Sequence, residues 1–234
     1  MESRKGSELA GLLARTISVT QLASWCASLV ILLSGLVPAT AESSRIGLYS
    51  GQWADTRLPH LPYNSLTGGL SFDDSRLHSL IVSRQIGATD LFLPGRRIGF
   101  ENASIELEGT ASVHSGLQDH SEVTLGVMLR SQNMDLGSLG AVNLGWANGV
   151  SYALEAPAYE FGLDLVRGEN TVQLQYYMGF ELEYAHHSWT HLSLFTRLHH
   201  RSGIYGVISP SKTGSNIIGL GARLRFATDR SCPA

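Results

Sequence analysis

The chain has 234 residues, 17 basic against 20 acidic side chains and two cysteines. This length suits one domain behind an export segment, and the weak negative charge excludes a nucleic-acid partner held by electrostatics. Cys26 falls in the export segment and Cys232 stands near the end, so the exported chain cannot form an internal disulfide and must hold its fold by other means.

Residues 1–41 read as a secretory signal peptide. Arg4, Lys5 and Arg15 precede an apolar stretch from about Leu22 to Val37, and Ala39-Thr40-Ala41 stand before Glu42. Gln21, Ser24, Ser28 and Ser34 interrupt the stretch, which falls short of the roughly 20 residues of a spanning helix. A lipoprotein signal fits poorly, because Cys26 follows Trp25 and has the apolar core after it. Cleavage after Ala41 is expected, leaving residues 42–234 as one domain with 14 basic and 18 acidic side chains. That domain has thirteen arginines and a single lysine, Lys212. The planar guanidinium fork suits phosphate, as on a lipopolysaccharide surface, although genomic base composition explains an arginine bias equally well.

Beyond Ala41 the sequence shows no long apolar run and no helical period, but two-residue alternation recurs. Loose candidates span residues 46–53 and 77–86. From Ala103 to Val113, Ile105, Leu107 and Ala111 alternate with Glu106, Glu108 and Thr110, and from Val123 to Leu129 apolar residues again take every second place. Residues 139–154 form a further candidate. The clearest strand is 171–184, where Val172, Leu174, Tyr176, Met178, Phe180, Leu182 and Tyr184 oppose Gln173, Gln175, Glu181 and Glu183. Residues 191–203 and 216–226 complete eight, while Tyr159–Val166, which is acidic and follows Pro157, reads as loop.

Strands of this length, apolar on one face and carboxylate-bearing on the other, predict an all-β, eight-stranded antiparallel transmembrane β-barrel in the outer membrane. A soluble sandwich or lipocalin-like barrel also alternates. Against it stand the strand lengths, aromatics near strand ends (Trp53, Trp146, Tyr184, Trp189 and Phe226), and a last strand that alternates up to Phe226. With periplasmic termini, residues 54–76, 155–170 and 204–215 are expected outside and the 185–190 turn inside. Eight strands leave a lumen filled by side chains, which disfavours a porin.

The densest reactive cluster is Arg197-Leu198-His199-His200-Arg201-Ser202-Gly203, at the outer end of the seventh strand. Steps of two from Leu194 and Leu198 place His200 and Ser202 on the lipid face, and the same count from Phe226 places Asn216 there. Polar groups facing lipid ask for a reason. Nucleophilic catalysis would supply one: His200 takes the Ser202 proton, Ser202 attacks an acyl ester and Asn216 holds the imidazole tautomer. A polar rim motif is the plain alternative. Metal binding is a third, to which the His186, His187 and His191 set also belongs. Asp73-Asp74 reads as a solvated turn in an outer loop, and neither a cofactor motif nor a convincing metal-ligand set stands out.

The His200-Arg201-Ser202 triplet on the penultimate strand, with Gly203-Ile204-Tyr205-Gly206 and Gly214-Ser215-Asn216 after it, resembles the lipid A 3-O-deacylase family, the PagL-like or acyloxyacyl hydrolase-like barrels. The likeness covers about the last 40 residues. It implies an ester hydrolase acting on lipid A or lipopolysaccharide from the barrel exterior, with His200 and Ser202 catalytic. Gly203 stands where the family usually has Asn, and no carboxylate lies between Ser202 and Phe226, so Asn216 would take the place of the orienting Glu. Enzyme and non-enzymatic barrel, for adhesion or envelope integrity, both stay open on sequence alone.

Overall fold

Nine antiparallel strands form one sheet in the computed structural model, which describes residues 43–92, 99–158, 160, 172–209 and 213–227. They are β1 (Ser43–Ala54), β2 (Phe72–Phe92), β3 (Gly99–Gly116), β4 (Ser121–Arg130), the two-residue β5 (Met134–Asp135), β6 (Ala141–Ala153), β7 (Leu174–Ala185), β8 (Leu192–Ser202) and β9 (Gly214–Ala227). Residues 1–41, expected to be a signal peptide, and most of the Tyr159–Val166 stretch lie outside the described residues.

Chain neighbours pair in order, β4 joins β6 directly, and β1 pairs with β9 from Ser43↔Ala227 to Trp53↔Ile217. The eight long strands therefore close on themselves, which removes the free edge that an open sheet exposes. The expected fold stands, with β5 only adding a short rung to β6.

Polarity is inverted relative to a soluble protein. Arg130, Arg197 and Arg223 are each 1% exposed, whereas Leu220 is 72% and Phe226 53% exposed. A water-soluble chain buries Leu and exposes Arg; a lumen of charges inside a leucine surface is stable where the surroundings are hydrocarbon. No helix of the described residues is long and apolar enough to cross a membrane, and the strands do the crossing. The protein is an outer-membrane β-barrel, with Ser43 and Ala227 paired at one mouth and the β1–β2, β3–β4, β6–β7 and β8–β9 connections at the other, the mouth expected to be the outer one.

Three local expectations need correction. Trp53 is fully buried and points inward with Tyr49 and Gly51, so it is a lumen residue and not part of an aromatic girdle. Asp73 and Asp74 belong to β2, which runs 21 residues and not the ten expected. The β2–β3 ribbon also continues past the start of β1, from Gln85↔Glu106 to Phe92↔Gly99. Bulges at Gln85/Gly87 and Thr89/Leu91 interrupt its register, and bulges bend a ribbon and raise its twist. Alternation in this ribbon lapses at the bulges, which hides its true length from a period-two reading.

The outer β1–β2 loop carries a 3-10 turn (Leu58–His60) and a short helix, α1 (Leu61–Thr67), closed by Gly68 in the left-handed conformation at φ 72°. Proline at the start of each piece fits a first helical position.

Candidate functional site

The lower lumen holds an ion lattice. Glu181 accepts from Arg223 at 2.5 Å and Arg197 at 2.8 Å and pairs with Arg130 at 2.8 Å. Glu183 accepts from Arg223 at 2.6 Å, Arg130 at 2.7 Å and Arg45 at 3.3 Å. Glu106 pairs with Arg130 at 3.1 Å and Arg45 at 3.5 Å, and Glu108 with Arg197. Four carboxylates thus face four guanidiniums, and charge is balanced where water is scarce. Glycines make space for this filling: a Cβ on Gly221 would lie 2.2 Å from the Phe195 ring, over which Arg223 sits at 4.4 Å.

A second layer lies toward the outer mouth. Glu122 bonds His114 Nε2 at 2.8 Å, His199 Nε2 at 2.9 Å and the Ser151 hydroxyl at 2.7 Å. Above it, Arg201 donates to Glu160 at 3.1 Å, and Gln175 donates to both Glu160 oxygens at 2.7 Å. Burial pushes the Glu160 carboxyl up to about 7, against the pull of Arg201 and Gln175. His120, in the β3–β4 turn, stacks on His114 with centroids 4.1 Å apart, and burial followed by His114 pushes it down to about 3. Sequence reading placed His199 and Arg201 at the outer end of their strand but did not join them to His114 and Glu122, because that meeting across the lumen depends on barrel closure.

The three residues proposed from sequence lie on the exterior, at the outer rim. Cross-strand pairing sets His200 opposite Asn216 and Ser202 opposite Gly214. His200 Nδ1–H donates to Asn216 Oδ1 at 2.6 Å, which leaves Nε2 as the basic nitrogen. Asn216 is 1% exposed although it faces outward, because its Nδ2 donates to the Thr56 carbonyl at 2.6 Å and the β1–β2 loop covers it. Ser202 Oγ accepts from the Ile204 N–H at 3.2 Å, and among the described residues no hydrogen bond joins it to His200. Ile204 has φ 45°, a strained value for a β-branched residue, and such strain concentrates at ligand sites and switches.

Below this rim runs a groove of about 820 Å³. Its floor is one row of register partners, Ile218, Leu198, Phe180, Trp146 and Leu129, a single outward residue from each of five adjoining strands. Leu58, Leu61 and Pro62 of the outer loop, and Leu91 and Phe100 of the bent ribbon, complete its lining. Leu61 is buried there. The His186 and His187 pair is elsewhere, exposed at the inner turn, with His186 on Ser188 and His187 on the Gly137 carbonyl.

No protein-family model matches the chain. No curated protein matches it. Among solved structures, Neisserial surface protein A aligns over 80% of this chain and 97% of its own, at 12% identity and a TM-score of 0.42. Ail, the attachment invasion locus protein of Yersinia pestis, solved with the heparin analogue sucrose octasulfate, aligns over 79% of this chain and 99% of its own, at 10% identity and a TM-score of 0.35. Values this low bear on neither activity nor ligand.

Proposed function

We propose that this barrel is a non-enzymatic outer-membrane protein that holds an acyl chain of an outer-leaflet lipid, the lipid A part of lipopolysaccharide, against its exterior. The groove under α1 carries this reading: a straight row of aliphatic and aromatic side chains crosses five strands, and the β1–β2 loop contributes Leu58 from its 3-10 turn and Leu61 from α1. An acyl chain laid there exchanges loose lipid contacts for close packing, and the lumen, filled by paired charges, offers no competing pore. Such binding suits a role in surface adhesion or envelope integrity.

The test is lipid retention. The protein extracted in mild detergent from Gram-negative membranes should carry lipid A at a fixed ratio, and Leu61→Arg should lower that ratio several-fold. Equal amounts on both proteins would overturn the proposal.

The His200–Asn216 hydrogen bond supports a second reading, ester hydrolysis of the same lipid. His200 Nε2 would take the Ser202 proton, Ser202 would attack the ester carbonyl, and Asn216 would hold the ring. Expression in a Gram-negative host would then remove one 3-hydroxyacyl chain from lipid A, and Ser202→Ala or His200→Ala would restore it. An unchanged lipid A mass excludes hydrolysis and leaves the binding proposal standing.

A further inference from the structure

The β3–β4 hairpin ends in a feature that neither lipid binding nor hydrolysis uses. Val113 pairs with Ser121, and the His114 N–H donates to the His120 carbonyl at 2.8 Å, so the two histidines face each other across the turn 115–119. Glu122 stands two residues beyond His120. All three side chains are buried, His114 at 3%, His120 at 5% and Glu122 at 0% exposure. One donor atom from each lies within 4.8 Å of the others.

Both ring nitrogens of His120 and the Nδ1 of His114 are buried without a hydrogen-bond partner. An imidazole taken from water without partners costs free energy, about 1 to 3 kcal/mol for a single polar group in protein data. Two neighbouring imidazoles and a carboxylate, each offering a donor atom within 4.8 Å of the others, form a ligand set for a divalent transition ion.

We infer that His114, His120 and Glu122 form a binding site for a divalent transition metal ion of the zinc class at the outer mouth of the lumen. Tetrahedral coordination at about 2.0–2.2 Å sets donors about 3.4 Å apart, so the His114–Glu122 bond must open from 2.8 Å and the His120 ring, in the turn, must rotate out of its stack on His114. The surroundings fit a metal site. Glu122 is held from the far side by His199 at 2.9 Å and Ser151 at 2.7 Å, the kind of outer support that orients ligands. The nearest fixed cation, Arg201, lies 3.9 Å from Glu122 Oε1 and donates to Glu160 at 3.1 Å. Three protein donors leave a fourth position for water or another ligand.

The experiment uses the full-length protein in detergent, stripped of metal with EDTA, and Co²⁺ as the probe. The His186→Ala/His187→Ala variant, which lacks the exposed histidine pair, should bind one Co²⁺ per chain with the visible absorption of a tetrahedral ion, and Zn²⁺ should displace it. His120→Ala and, separately, His114→Gln should each weaken binding on the order of tenfold or more, with circular dichroism reporting whether the barrel is intact. Failure of the His186→Ala/His187→Ala variant to bind Co²⁺ would overturn the site without recourse to the buried substitutions. Undiminished binding by folded His120→Ala would overturn it equally.

Discussion

His200 and Asn216 face each other across β8 and β9, and the 2.6 Å bond between them continues through Asn216 to the Thr56 carbonyl at 2.6 Å. One amide therefore ties the rim histidine to the loop that covers the lipid groove. Asn216→Ala should strip both partners and cost about 1 to 3 kcal/mol, the usual penalty for buried groups left unsatisfied. Limited proteolysis would read this as faster cleavage within residues 55–71. Asn216→Asp keeps an acceptor for His200 but loses the donor to Thr56, so it should free the loop as Ala does while slowing modification of His200 by diethylpyrocarbonate.

Glu181 joins Arg130, Arg197 and Arg223. Its removal in Glu181→Ala leaves three buried guanidiniums short of a counter-charge, and breaking a buried pair typically costs about 3 to 5 kcal/mol. Urea unfolding in detergent should show a lower midpoint than for wild type. A matching midpoint would mean that the lattice contributes little.

Gly221 gives a steric test. Its replacement by alanine sets a Cβ 2.2 Å from Phe195 Cζ and 2.5 Å from the Leu48 carbonyl, an overpacking expected to cost about 1 to 3 kcal/mol. Phe195→Leu added to Gly221→Ala should recover part of that loss, since only the ring contact is relieved. Non-additivity in a double-mutant cycle is the measurement.

Glu160 predicts a pH dependence at the outer mouth. Its folded carboxyl is raised to about 7 from an ordinary 4.5, so the protonated form is the one the fold favours. The stability it contributes is complete below pH 4.5 and is lost as pH rises through about 7. Protease cleavage in the β6–β7 connection should accelerate over that window, and Glu160→Gln should flatten the profile.

The strands were legible because the barrel wall imposes period two on the whole chain: Glu181 and Glu183 declare the lumen as clearly as Phe180 and Leu182 declare the lipid. The outward face of His200, Ser202 and Asn216 follows from the same count. Other features follow from closure, which no local pattern encodes. Glu122 meets His199 across 77 residues, and the groove floor draws one residue from each of five strands. Loop helix α1 escaped notice because seven residues are too few to display a helical period. Trp53 misled because an aromatic at a strand end looks alike on either face unless its parity is counted from Tyr49.

The balanced lattice also constrains assembly. Its eight charges come from β1, β3, β4, β7, β8 and β9, so no single hairpin neutralises itself, and Glu108 finds Arg197 only across the barrel. A partly closed sheet entering hydrocarbon would expose guanidiniums and carboxylates whose partners have yet to arrive, at several kcal/mol for each unpaired ion. Insertion and closure must then advance together, with the β1–β9 seam completing the last pairings. The paired charges that fill the finished lumen thus act, during biogenesis, as a check that the six strands carrying them are in place.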